Sequence, residues 1–283
     1  MRPSEVIVLP GASSTQGIAK GTGNTFYAGD LWRGNIYRGD LEEKTAEIFI
    51  HAPEGRLSMG LCADLEHGWL FVGGGLGWAY VYDIETGEEV AQWQLGKAGD
   101  LKSTLVNKVF VNQRGAYFSD TSCCVLYHVP ISPAGELGTP RTLTLSGPAA
   151  EVSGHFNLNG VVAPEDGAPL IVSHTAKGRI YTVDQDTGVS REIEGVQVRS
   201  ADGLLLQGRD LWVVQNWADQ VSRVRLSDDL TSGTVEAVIT DDAFQFPTTA
   251  IPVGDDRIAV VNAKSDTGIV PTADQYEVVI VDR

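Results

Sequence analysis

The sequence predicts an all-β, six-bladed β-propeller with four-stranded blades, and three observations carry that expectation. Short apolar runs of Val, Ile, Leu, Tyr and Phe alternate with Gly, Asp and Asn clusters along the whole chain. No long stretch repeats at helical spacing. One pattern recurs six times: a lead residue, usually followed by Gly, then an apolar strand, a turn, and a second apolar strand ending in small or polar residues. Four strands in roughly 40 to 50 residues is the repeat of a propeller blade.

The units run in order along the chain. QGIAKGTGNTFYAGD opens the first at Gln16 and leads to a third run, GNIYRGD. MGLCADLEHGWLFVGG opens the second at Met59, with AYVYDIETG and a weaker fourth run, EVAQWQL, behind it. NKVFVNQRGAYFSD opens the third at Asn107 and is followed by VLYHVPI. NGVVAPEDGAPLIVSH opens the fourth at Asn159, with RIYTVDQDTG and SREIEG after it. DGLLLQGRDLWVVQN opens the fifth at Asp202, ahead of VSRVRLSDD, and TTAIPVGDDRIAVVN opens the sixth at Thr248. The lead residues step by 43, 48, 52, 43 and 46 positions. From Thr248 the chain holds three strands, ending at YEVVIVDR, whereas EVIVLP near the N-terminus precedes the first unit and has no blade of its own. The N-terminal strand is therefore expected to complete the last blade, which closes the ring, removes its exposed edges and makes 1–283 one domain.

In a propeller the innermost strand of each blade starts at one face of the central channel, and the second strand returns to that face. Two rings of residues should meet there. The first holds Gln16, Met59, Asn107, Asn159, Asp202 and Thr248; the second holds Asp30, Gly74, Asp120, His174, Asn216 and Asn262. Small apolar residues would serve at purely structural strand ends, yet most of these carry an oxygen or nitrogen head group, so a polar funnel is the expected site. Loop capping by amides and carboxylates is the competing explanation for each one. Asp202, His174 and Asp120 are the acid and base groups available for proton transfer, and His155 in GHFNLNG should lie on the same face. Trp32, Trp78 and Trp217 fall shortly after return strands, in loops expected to overhang the funnel, and point to a small-molecule substrate with an apolar or aromatic body. Trp69, Trp93 and Trp212 fall within strands, where packing between blades explains them.

Lys and Arg number 21 against 37 Asp and Glu, a net charge of −16, and such a field repels nucleic acid and anionic membranes. No run is long enough to span a bilayer, and MRPSEVIVLP has neither a long apolar core nor a small-residue cleavage site. Cys62, Cys123 and Cys124 make a poor disulfide framework, so a cytoplasmic protein, monomeric or a small homo-oligomer, is expected, with secretion after loss of a leader as the alternative. DIETG and DQDTG share a repeat position and read as hairpin turns. GGGLG ends a strand without opening a helix, so no nucleotide cofactor is expected. No G-x-S-x-G, H-E-x-x-H or C-x-x-C occurs.

On the NLNG, SADG and LVNKV steps the chain resembles the senescence marker protein and gluconolactonase family, six-bladed propellers related in architecture to paraoxonases and strictosidine synthase. That resemblance implies a divalent cation, most often calcium, in the channel, held by Asn159, by Asp202, and by the residue opening blade one, with Asn107 touching substrate or metal-bound water. In this sequence TQGIA places Gln16 where the family has Glu, which removes a charged ligand. The activity implied is hydrolysis of a lactone or ester with the cation polarising the carbonyl. A metal-independent cyclase or condensing enzyme of the strictosidine synthase kind is the alternative, favoured by the Trp set and the missing Glu, and a non-catalytic ligand-binding propeller is a third.

Overall fold

In a computed structural model, which describes residues 2–164, 167–268 and 270–283, every unit of the sequence repeat folds as one antiparallel sheet. Strand β1 (Glu5–Val8) comes first and belongs to the last blade. Blade 1 comprises β2 (Ile18–Lys20), β3 (Thr25–Gly29), β4 (Ile36–Asp40) and β5 (Thr45–Ile50). Blade 2 comprises β6 (Leu61–Asp64), β7 (Trp69–Gly73), β8 (Trp78–Asp83) and β9 (Glu89–Gln94). Blade 3 comprises β10 (Val106–Asn112), β11 (Gly115–Asp120), β12 (Val125–Pro130) and β13 (Arg141–Thr144). Blade 4 comprises β14 (Leu158–Val162), β15 (Leu170–His174), β16 (Arg179–Val183) and β17 (Ser190–Glu192); residues 165 and 166 in its first turn lie outside the described residues. Blade 5 comprises β18 (Ala201–Gln207), β19 (Asp210–Gln215), β20 (Gln220–Leu226) and β21 (Gly233–Thr240). Blade 6 comprises β22 (Pro247–Val253), β23 (Arg257–Asn262) and β24 (Glu277–Asp282), with β1 added at its outer edge in the register Glu5 to Ile280 through Val8 to Glu277. Among the described residues no helix is long and apolar enough to cross a membrane.

Residue choice follows from where each strand sits. Second strands are covered on both faces by neighbouring blades and are buried nearly throughout, as in β15, where Leu170 to His174 are all buried. Outer strands face water on one side and alternate, as in GTVEAVIT of β21. Six apolar cores lie between successive blades. Phe26, Tyr37 and Ile18 of blade 1 meet Val261, Ile280 and Ile7 of blade 6, and Tyr117 and Leu126 of blade 3 meet Val172 and Tyr181 of blade 4. Each inner strand packs on the next, and β2 on β22, so the ring is closed.

The inner strands carry the feature that shapes the site. In blades 3, 4, 5 and 6 the pairing of first and second strands skips register at the lead residue, between Val106 and Val109, Leu158 and Val161, Ala201 and Leu204, and Pro247 and Thr249. A bulge there turns the lead side chain toward the axis. The Gly after the lead residue permits close approach of neighbouring strands: a Cβ on Gly160 would meet Asp202 O at 2.6 Å, and one on Gly203 would meet Thr248 O at 2.5 Å. Blades 3 and 6 depart from that rule and place Lys108 and Thr249 at the same position.

Candidate functional site

Five of the six lead residues, Gln16, Met59, Asn107, Asn159 and Asp202, line one cavity of about 290 Å³ at the mouth of the channel. Its floor also takes Asn216 and Thr175, and its walls are Leu31, Trp32, Leu57, Leu101, Leu105, Phe156, Trp217 and Phe246. Leu31, Leu57, Met59 and Leu105 form an apolar cluster of their own beside this opening, backed by Trp32 and Leu101. Trp217, 63% exposed, meets Phe246 edge to face at 4.7 Å between ring centroids. Phe246 has φ 52°, a strained value for a bulky residue, and is held there by its N–H, which donates to Asp219 Oδ1 at 2.7 Å.

The floor is a directed hydrogen-bond network. Thr175 Oγ1 donates to Ala201 O at 2.6 Å and so accepts from Asn159 Nδ2 at 3.1 Å. Asn159 must then turn its Oδ1 to Asn107 Nδ2, 3.0 Å away, and Asn107 Nδ2 also donates to Thr121 Oγ1 at 3.0 Å. Asn107 Oδ1 is left buried with no partner, as is Trp32 Nε1 in the wall. In blade 5 the Trp217 N–H donates to Asn216 Oδ1 at 2.7 Å, which directs Asn216 Nδ2 to Asp202 Oδ2 at 3.0 Å.

Beneath the floor lies a lysine that sequence reasoning missed. Lys108, buried like Asp202, stretches from blade 3 across the axis to blade 6. Its Nζ donates to Thr249 Oγ1 at 2.6 Å and to Gln16 O at 3.3 Å, and lies 3.2 Å from Asp202 Oδ1. Burial pushes the Asp202 carboxyl up and the Lys108 ammonium down, and their mutual attraction opposes both shifts. Asp202 is the one titratable side chain among the described residues lining the cavity.

The second ring is placed differently from the sequence expectation. Return strands run one position out from the axis, so their last residues fasten incoming loops instead of facing the cavity. Asp30 accepts from Ser13 N at 2.9 Å and Ser13 Oγ at 2.8 Å. Asp120, expected to be catalytic, accepts from Thr104 Oγ1 at 2.6 Å, Leu105 N at 3.0 Å, Ser122 N at 2.9 Å, Cys123 N at 3.2 Å and Tyr127 OH at 3.1 Å, which fills its acceptor sites. His174, also expected to be catalytic, is fully buried away from the cavity; its Nε2 donates to Glu151 O at 2.9 Å, and burial keeps its pKa below the usual imidazole value. Asn262 donates to Ala243 O and to Glu277 Oε1. Asn216 reaches the floor because it follows Gln215, the β19 residue paired with Ala201; Thr121 and Thr175 likewise follow Asp120 and His174, which pair with Val106 and Leu158 in blades 3 and 4. Gly74 has no side chain to offer.

Three further expectations need correction. Thr248 spends its hydroxyl on Gln16 O at 2.7 Å and does not line the cavity. Trp78 starts β8 and packs into the core between blades 1 and 2. His155 is exposed on the rim, in a shallow depression beside Phe156, Lys177 and Trp217, outside the main cavity.

The ligand set implied for a divalent cation does not fit. Among Gln16, Asn107, Asn159 and Asp202 there is one carboxylate, and it faces the Lys108 ammonium; a second cation beside that ammonium would be strongly repelled. Among the described residues no group of three or more His, Cys, Asp or Glu side chains could hold a metal.

No family model matches the chain, and no curated protein matches it. Solved structures do. The Malassezia sympodialis allergen Mala s 1 superposes with a TM-score of 0.72 at 12% identity, over 99% of this chain and 96% of that one. The PQQ-bound aldose sugar dehydrogenase of Streptomyces coelicolor gives 0.64 at 14%, over 99% of both chains, and regucalcin, a calcium-binding protein from Agrobacterium tumefaciens, gives 0.61 at 14%, over 94% and 90%. At these identities the likeness is one of fold, and it bears out the six-bladed propeller.

Proposed function

We propose that this protein is a small-molecule enzyme whose substrate is uncharged, has an apolar or aromatic body, and is bound head-down in the channel mouth. The observation that carries the reading is the cavity itself: aromatic and Leu walls over a floor of amides with one carboxylate already neutralised by a lysine. The Gln16 side-chain amide lines the cavity and can accept from a hydroxyl or donate to a ketone, lactone or ether oxygen of the head group. We assign proton transfer at that head group to Asp202, the one titratable side chain among the described residues lining the cavity. These features favour metal-independent rearrangement, cyclisation or condensation over cation-assisted hydrolysis of a lactone or ester, whose ligand set does not fit.

The test is a ligand screen read by tryptophan fluorescence and melting temperature, using hydroxylated polycyclic ketones against sugar lactones. Hydroxy-ketones are expected to bind and raise the melting temperature, and Trp217→Ala is expected to weaken them by about 1 kcal/mol or more. Any conversion found should vanish in Asp202→Asn. Binding of sugar lactones alone, unaffected by Trp217→Ala, would reject this substrate class.

A further inference from the structure

We infer that Lys108 is the resident cation of this propeller, a covalently tethered ammonium occupying the centre of the channel in place of a metal ion. Its charge state follows from its partners. Gln16 O can only accept. Thr249 Oγ1 donates its own hydrogen to Gln16 O at 3.1 Å and therefore accepts from Lys108. Asp202 Oδ1 faces the nitrogen at 3.2 Å as an ion-pair partner, outside hydrogen-bond geometry. A buried carboxylate oxygen 3.2 Å away with no hydrogen-bond partner of its own is balanced by a positive charge on the nitrogen, and the ammonium also supplies the N–H bonds that Thr249 Oγ1 and Gln16 O accept. Those oxygens come from blades 1, 6 and 5 while the lysine comes from blade 3, so one group ties four blades at the axis, as an ion held by several blades would. The sequence shows the same replacement: where four blades follow the lead residue with Gly, blade 3 has Lys108, and a Cβ built on Gly60 would lie 3.2 Å from the Lys108 Cδ, so the side chain fills space that Gly60 leaves. The Gln at position 16 fits this assignment, because one carboxylate suffices for one ammonium.

The inference stands whatever the ligand above the floor, and it is tested with calcium itself. Chelator-treated wild-type protein, Lys108→Met, the double variants Lys108→Met/Asp202→Asn and Lys108→Met/Gln16→Glu, and Asp202→Asn are compared by thermal melting and calorimetric titration. Lys108→Met leaves a buried carboxylate unpaired and should lower the melting temperature by roughly 10 °C or prevent folding. Lys108→Met/Asp202→Asn removes both charges and should recover at least half of that loss, or recover folded protein. Wild type should show no calcium-dependent rise, whereas Lys108→Met/Gln16→Glu should bind calcium at least tenfold more tightly than wild type and melt higher in its presence. A calcium-dependent rise in wild type that disappears in Asp202→Asn would overturn the assignment. So would a charge-free double variant as unstable as the single one, or a Lys108→Met/Gln16→Glu protein with no gain in calcium binding.

Discussion

Thr175 fixes the direction of the whole floor although it is not one of the amides that form it. Because its hydroxyl is spent on Ala201 O, it can only accept from Asn159, and the orientation passes to Asn107 and leaves its Oδ1 buried without a partner. Thr175→Val should therefore do two things. It leaves the Thr175 contacts of Ala201 O and Asn159 Nδ2 unmade, at a cost of about 2 kcal/mol in urea unfolding, and it frees both floor amides to flip, so a ligand seated on that floor should bind several-fold more weakly. The lead residues could be found in the sequence because they open a regular repeat. Thr175 and Thr121 carry no such mark, because a bulge shifts the register by one and the repeat pattern ends at His174 and Asp120. Lys108 left a signal that was available: NK stands where QG, MG, NG and DG stand elsewhere.

At the scale of the strand, the ends of the return strands are fasteners. Asp120 at the end of β11 holds the loop from Thr104 to Leu105 and the turn from Ser122 to Cys123. Asp120→Ala should cost about 3 kcal/mol of stability while leaving ligand binding within twofold, a separation that melts and titrations on the same variant will read. Strand β12 makes a pH prediction. His128 stacks on Tyr117 at 4.3 Å, its Nε2 donates to Arg114 O at 2.9 Å, and its Nδ1 accepts from Arg141 Nε at 3.0 Å, so the folded protein holds it neutral. Burial first, helped by the Arg141 and Arg114 charges and opposed by the bond to Arg114 O, pushes its pKa down to about 4. A folded-state value below the unfolded one means that the unfolded chain takes up the proton first as pH falls. The contribution is complete above about pH 6.5 and is lost on the way down to about pH 4, amounting to about 2 kcal/mol by pH 5. Denaturant melts at pH 7.5 and pH 5 should show that loss, and His128→Gln should flatten it.

For the whole molecule, the six-fold repeat made the ring legible, because strand length, turn chemistry and spacing agree in every unit. Which side chains face the axis was less so, since that depends on half-turn details of pleat and bulge that a repeat alignment averages away. The same limit explains Trp78, which shares a sequence position with loop tryptophans but opens a strand. The cores between blades are continuous around the ring, so unfolding should be a single cooperative transition, and removing residues 2–9 should abolish it, because blade 6 loses its outer strand and the core shared with blade 1 loses Ile7 and Leu9. Far-UV dichroism and size exclusion of the shortened chain will show whether a closed ring survives.

The pairing of β1 with β24 also sets the order of events during synthesis. The arm that seals the ring is made first and must wait as a free tether until the final strand has left the ribosome. Bringing its ends together across roughly 270 residues costs only about 5 kcal/mol beyond a constant, because the term grows with the logarithm of length. A second chain at high concentration can supply the same arm against a comparable entropic handicap. Refolding at rising protein concentration should therefore trap chains that have exchanged their N-terminal arms, each completing its neighbour's sixth blade.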